Sequence, residues 1–268
     1  MPEITESKYL ITAGWDDVPH LSEDTKRKLL ASTPVYLRGA RSKGTPALGS
    51  GALFPISEET IRCDPFQIPK YWRQINGLDF GYGHPTAAVN LAIDMDSGIV
   101  YVTKCYKKSG ADIAEINISP TATPAAAIKA WGEWIPTAWP HDGLQHDKGS
   151  GEELRGQYET QGLEMLPEKA THEEGGYGVE AGLMDMLDLM TSERFKVFST
   201  CQEWFAEYRL YHREKGKVVK VFDDLMSATR YANMMKRFAR SEVEAKPRLV
   251  KVPDWKQRIK RRASAQAA

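Results

Sequence analysis

"INGLDFGYGHPTAAVNLAIDMDSGIVYVTKCYKKSG", residues 75–110, decides the fold. It holds three short apolar runs, "INGLDFGY", "TAAVNLAID" and "GIVYVTKCYK", the last two joined by the turn sequence "MDSG". Three consecutive strands with tight connections predict an antiparallel meander. One residue is out of place in it. Asp79 stands at the centre of the first run, where an ionised carboxylate is costly unless it is paired or binds a metal. Gly81 and Gly83 follow, and glycine lets a backbone turn closely past whatever the carboxylate binds.

Downstream the rhythm changes. Helices expected near 121–133, 151–161, 179–192, 202–211 and 223–238 alternate with strands at "IPTAWPH", "LEMLP" and "FKVFS". Such alternation indicates crossovers onto parallel strands. The expected class is therefore α/β: a mixed sheet, an antiparallel three-strand meander followed by parallel strands, flanked by helices. Upstream, residues 1 to about 60 are rich in turn signals, with one good helix at "SEDTKRKLLAS" that Ser22 can cap. The glycine-rich, basic "RGARSKGTPALGSGALFPI" lacks the G-x-x-x-x-G-K-[ST] order, so no phosphate-loop motor is encoded here. It reads as a linker or docking segment.

With 268 residues, 41% hydrophobic and 27% charged, the chain can bury one α/β core plus appended segments, which excludes extreme disorder. The formal net charge of zero hides an asymmetry: residues 236–262 carry eleven Lys/Arg against three acids, a net +8, so the remainder is −8. A basic end on an acidic body reads either as a polyanion-binding arm or as a solvated tail. Cys63, Cys105 and Cys201 are far apart with no C-x-x-C spacing, which points to core residues in a reducing compartment. No apolar run approaches the roughly 18 residues of a membrane span, and "MPEITESKYL" lacks the pattern of a secretion signal. A soluble, cytoplasmic protein is expected.

Two further sets of acids attract notice. Asp142 in "TAWPHDG" emerges at the carboxyl end of the expected fourth strand, the edge where open α/β sheets bind ligands; an Asp that merely opens the turn is the plain alternative, and Asp147 is a nearby competitor. Asp223 and Asp224 open the helix of "VFDDLMSATRYANMM", where taken alone they are ordinary amino-terminal caps. Together with Asp79 they form a pattern. Clustered carboxylates repel and stay ionised together only with divalent cations between them, and oxygen-rich sites suit Mg²⁺ or Mn²⁺. His84 and His141 flank these acids and are candidates to assist proton transfer or orient a ligand, if they are not simply surface residues. "YHREKGKVVK" reads as a hairpin around Lys215 and Gly216; its Arg213, Lys215, Lys217 and Lys220, with Arg209 just before, either hold a DNA backbone or form a solvated finger. Trp204, Phe205, Tyr208 and Tyr211 have helical spacing and read as core rather than base-stacking groups.

"GLDFGYGHPTAAVNLAID", "WPHDG", "YRLYHREKGKVVK" and "DDLMSATRYA", in that order, resemble the carboxyl-terminal nuclease domain of tailed-phage large terminases, whose fold is ribonuclease H-like. The segment from "WDDVPHL" to "GALFPI" resembles the family's linker between ATPase motor and nuclease, so the resemblance covers roughly 14–238. It implies three regions: a linker or docking segment 1–68, a nuclease domain 69–240 and a basic tail 241–268, with the ATPase half absent from this chain. It also implies Asp79, Asp142 and Asp224 as catalytic, metal-binding acids, with Asp223 the second choice for the third ligand. Many relatives read "DALRYA", where this chain has Ser227 at the second acid's position, which leaves the third ligand open. The implied activity is Mg²⁺- or Mn²⁺-dependent endonucleolytic cleavage of concatemeric viral DNA during packaging, with two ions and little sequence specificity. The implied partners are double-stranded DNA, a terminase small subunit and a portal protein, in the host cytoplasm. Two rivals stand beside it: a non-catalytic packaging or docking protein of the same fold, and a nucleotide-binding module of the sugar-kinase and actin type, which "LDFGYGHPTAAV" also resembles but whose second glycine-rich Asp loop has no counterpart here.

Overall fold

The computed structural model describes residues 13–33, 38–44, 51–81, 85–109, 122–145 and 153–244. Its helices are α1 (Glu23–Ser32), α2 (Arg38–Lys43), α3 (Glu58–Ile61), α4 (Ala122–Lys129), α5 (Leu154–Thr160), α6 (Val179–Thr191), α7 (Gln202–Leu210) and α8 (Asp224–Met234). The strands are β1 (Arg62–Cys63), β2 (Arg73–Asp79), β3 (Thr86–Ile93), β4 (Val100–Lys108), β5 (Pro136–Ala138), β6 (Glu164–Met165), β7 (Phe195–Phe198), β8 (Arg213–Glu214) and β9 (Lys217–Val218). Strands β1 to β7 form one mixed sheet in the order β1-β7-β4-β3-β2-β5-β6, and β8 and β9 form a separate hairpin. The meander is antiparallel, and β1, β5, β6 and β7 add to it in parallel. Among the described residues no helix is long and apolar enough to cross a membrane.

Strand β3 is buried at seven of its eight positions, which is why it reads as an unbroken apolar run rather than an alternating one. Its single amide, Asn90, belongs to a polar row across the sheet. Thr103 Oγ1 donates to Asn90 Oδ1 at 2.5 Å, Asn90 Nδ2 to Asn76 Oδ1 at 2.9 Å, and Asn76 Nδ2 lies 3.5 Å from Thr137 Oγ1. All four are buried. A one-residue slip of any strand would orphan these groups in an apolar interior, so the row pins the register. The turn after β3 is closed by Asp94, which accepts from the Asp96 amide (3.0 Å) and Ser97 Oγ (2.5 Å), with Gly98 at φ +70°.

Helix α8 lies across β2 and β3 at very short range because Gly77 has no side chain: a Cβ there would stand 2.0 Å from the Ala228 carbonyl oxygen. On its other flank, Trp204 Nε1 donates to Thr229 Oγ1 at 2.9 Å, tying α8 to α7. Trp204, Phe205, Tyr208 and Tyr211 are all buried, with Trp204 and Tyr208 stacked at 5.2 Å, so that stripe is core. Leu53, Phe54 and Ile61 join the same core, and β1 pairs with β7 at the sheet's edge.

Candidate active site

β2 and β5 are parallel neighbours, so their carboxyl ends open on one edge of the sheet, the edge where such sheets bind ligands. The sequence reading put Asp79 at the centre of its strand; it is instead the last residue of β2, which ends before Phe80. Asp142 lies four residues past β5, in the short 3-10 turn His141–Leu144. Gly143 holds that turn against the core: a Cβ on it would stand 2.4 Å from Trp139 Cε3 and 2.8 Å from Phe80 Cε2. Asp223 and Asp224 arrive at the amino end of α8. Four acids from three distant segments thus line one cavity of about 730 Å³, together with Lys107, His141, Lys220, Ser227, Arg230 and Tyr231.

Capping does not explain the Asp223/Asp224 pair. Asp223 occupies the N-cap position yet makes no side-chain cap hydrogen bond. The orphan N–H groups are served from another helix: Glu207 of α7 accepts from the Leu225 amide at 2.7 Å and the Met226 amide at 3.2 Å. The other oxygen of Glu207 takes Lys107 Nζ at 2.6 Å, and Lys107 reaches Asp224 Oδ2 at 2.8 Å. Burial works against the charge on Lys107, but Asp224 and Glu207 together hold its pKa above the ordinary lysine value. This buried chain, Glu207 to Lys107 to Asp224, fixes both the start of α8 and one of its carboxylates. Glu207→Gln keeps an acceptor for the amides but removes the ion pair, and is expected to cost about 1–3 kcal/mol in urea denaturation.

Four carboxyl groups and three cations, Lys107, Lys220 and Arg230, line the cavity, and the acids crowd Asp79. Burial first, then the Asp224, Asp223 and Asp142 charges, push the Asp79 carboxyl up to about 8, while Arg230 pulls the other way. The donor set consists of hard carboxylate oxygens and suits Mg²⁺ or Mn²⁺. Among the described residues no three His, Cys, Asp or Glu side chains already enclose a common point. Asp79, Asp142, Asp223 and Asp224 therefore fit a divalent ion by the chemistry of their oxygens.

A family model described as the terminase RNase H-like domain matches residues 76–236. The chain belongs to that family. This terminase domain is 46% identical over 252 residues to the terminase large subunit of Salmonella phage P22, covering 93% of this chain and 49% of that protein. Against the large subunit of Enterobacteria phage LP7 it is 46% identical over 234 residues, covering 87% and 47%. It thus spans about half the length of the curated relatives it matches. The solved nuclease domain of P22 large terminase superposes with a TM-score of 0.66 at 46% identity, covering 74% of this chain and 99% of that domain. The large terminase of the thermophilic bacteriophage D6E, solved with ADP, matches with a TM-score of 0.55 at 17% identity, covering 84% of this chain and 55% of that one, a likeness of fold alone. The fold is ribonuclease H-like, and the family assignment sets aside the sugar-kinase and actin reading.

The remaining sequence candidates are distributed unevenly around the terminase domain's cavity. His141 lines it, with Nδ1 2.8 Å from Lys169 Nζ and its ring stacked on Tyr177. His84 lies outside the described residues, as do Asp147 and most of the basic tail. The hairpin forms as expected, turning on Lys215 (φ +49°) and Gly216 (φ +77°), and Lys220 after it lines the cavity. Arg213 is ion-paired to Glu180, and Arg209 stands apart, bridging to Glu58 at 2.7 and 3.2 Å. Lys107, Glu207 and Arg230 were not legible as site residues. Lys107 is the next-to-last residue of a strand, Glu207 one acid on a core helix, and Arg230 one cation among many, so no local pattern marks them.

Proposed function

We propose that this terminase domain is a metal-dependent endonuclease that cuts concatemeric viral double-stranded DNA during packaging, with little sequence specificity. The observation that carries this reading is the lining of one cavity at the sheet's carboxyl edge by Asp79, Asp142, Asp223 and Asp224. These side chains would hold Mg²⁺ or Mn²⁺, two ions in the full form of the proposal, with Asp223 and Asp224 as alternatives for the third ligand. Bound there, divalent ions supply a nucleophilic water and absorb charge on the leaving oxygen. The reaction joins a water oxygen to phosphorus, breaks one ester P–O bond, and leaves a phosphomonoester end and a hydroxyl end. The chain's own work is to position and to neutralise. Asp79, once deprotonated, would hold an ion, Lys107 and Glu207 hold Asp224, and Lys215, Lys217 and Lys220 on and after the hairpin would attract the DNA backbone without reading its sequence. Arg213 adds to that finger and Arg209 lies further off, with His141 placed to orient a water. A terminase small subunit and a portal protein are the partners this reading implies, in the host cytoplasm.

The test is nicking of supercoiled plasmid by the purified chain in Mn²⁺ or Mg²⁺. Conversion to open-circular and linear forms that disappears with EDTA and in Asp142→Ala is the expected result; plasmid left intact in both metals overturns the proposal. A second reading, a non-catalytic packaging protein of the same fold, is favoured by the Lys107–Asp224 ion pair and by Ser227 in place of an acid. It predicts intact plasmid with DNA binding retained.

A further inference from the structure

One charged group in the cavity is unexplained by the acids and their ions. Arg230 is 5% exposed, yet its Nε has no hydrogen-bond partner and its Nη1 has only the Met234 thioether at 3.7 Å. Among the described residues no carboxylate lies at ion-pair distance from it, although four acids share its cavity. A guanidinium buried with an N–H unpaired and no ion pair is costly, so a fold that keeps one is made for an anion that arrives later.

The stem of Arg230 is held on purpose-made ground. A Cβ on Gly182 of α6 would stand 2.8 Å from Arg230 Cγ and 3.0 Å from Cδ, so the glycine is what leaves room for the side chain between α6 and α8. Along α8, Asp223, Ser227 and Arg230 are spaced by four and three residues, which puts them on one helical face, and all line the cavity. The guanidinium centre also lies 4.5 Å from the Tyr231 ring centroid, a contact that favours the cation. The ligand's chemistry follows from its neighbours. Beside acids that would hold metal ions, the anion the nuclease reading brings is a phosphodiester, whose delocalised charge and two free oxygens match a planar fork of N–H donors.

We propose that Arg230 binds a non-bridging oxygen of the DNA phosphate that enters the cavity, gripping the substrate rather than the ions. This rests on the nuclease reading for its substrate, but its principal readout does not depend on cleavage. The experiment measures affinity of the whole chain for a short DNA duplex in EDTA across a salt series, with Mn²⁺ affinity and plasmid nicking in parallel, for wild type, Arg230→Gln and Arg230→Met. The Met variant keeps an unbranched stem against Gly182. The expected result is a loss of about tenfold in duplex affinity, a salt slope smaller by about one, nicking reduced further, and Mn²⁺ affinity equal or higher because a repelling charge has gone. Duplex affinity and salt slope unchanged, or Mn²⁺ affinity falling with nicking, overturns the proposal in favour of a counter-ion for Asp79. Failure of both variants to fold overturns it in favour of packing. Should wild type leave plasmid intact while both variants lose duplex affinity, the nuclease reading falls and the phosphate site stands.

Discussion

Asp79→Asn is expected to cut Mn²⁺ affinity by well over about 100-fold and to stop DNA cleavage, while making the metal-free protein more stable as pH rises. The first part rests on the proposed role of Asp79 as a ligand and scales from ligand supports, whose loss alone costs about 10–100-fold in metal affinity; loss of a ligand would cost more. The second follows from the sign of the shift. With burial and three neighbouring acids raising Asp79 to about 8, the folded chain keeps its proton at a pH where the unfolded chain, near the ordinary value of 3.8, has lost it. Folded protein then binds more protons than unfolded, so stability falls as pH climbs from about 4 to about 8, by at most about 1.4 kcal/mol per pH unit, and levels off above. Asn carries no such titration. Urea denaturation in EDTA at pH 6 and pH 9 should therefore show the variant gaining on wild type at the higher pH. Mn²⁺ binding must displace the same proton, so wild-type affinity should rise about tenfold per unit from pH 6 toward 8 and flatten beyond it. A flat affinity over that range would mean that Asp79 is already ionised.

How much of this was open to reading in the sequence depends on which contacts are local. The meander, its "MDSG" turn, the Lys215–Gly216 turn and the positions of Asp142 and Asp224 beside element ends are all written in short runs of residues. Lys107 shows where that stops. Counting back from the Asp94–Gly98 turn, with Ile93 opposite Val100, pairs Ala87 with Tyr106 and puts Lys107 on the wrong face. The strands do not keep that count. Leu91 faces Val102 but Asn90 faces Lys104, so Thr103 is an extra residue, and beyond this bulge Ala87 faces Lys107. Because Ala87 also faces Asp79, the bulge places Asp79, Ala87 and Lys107 in one row across three strands, with the smallest of the three side chains in the middle. What holds the bulge is the buried Thr103–Asn90–Asn76 row, a long-range arrangement that no window of sequence displays. Glu207 is hidden in the same way: its partners, the Leu225 and Met226 amides, are 18 and 19 residues away on another helix. The Asp223/Asp224 pair looked like its own cap only because the true cap came from elsewhere.

The same dependence on distant backbone makes Gly77→Ala the most damaging small substitution in the sheet. The added methyl carbon would sit 2.0 Å from the Ala228 carbonyl oxygen and 2.9 Å from Ala232 Cβ, and neither is the free end of a flexible side chain. Relief requires α8 to lift off β2 by about an ångström, against the Trp204–Thr229 hydrogen bond and the Glu207 cap that fasten it from behind. Overpacking usually costs about 1–3 kcal/mol, and a clash with helix backbone belongs at or beyond the top of that range, so a loss of at least about 3 kcal/mol is expected in urea denaturation. The loss will not be confined to stability. Asp224, Ser227 and Arg230 all ride on α8 while Asp79 stays with the strand, two residues from the intruding methyl group, so Mn²⁺ affinity at temperatures where the variant is still folded should fall as well. Gly156→Ala on α5 is the matched control: a Cβ there meets nothing within 4 Å, and removing a helical glycine should leave stability unchanged or raise it by up to about 1 kcal/mol. If both alanines behave alike, the close seat of α8 on Gly77 is not what sets the spacing between Asp79 and Asp224.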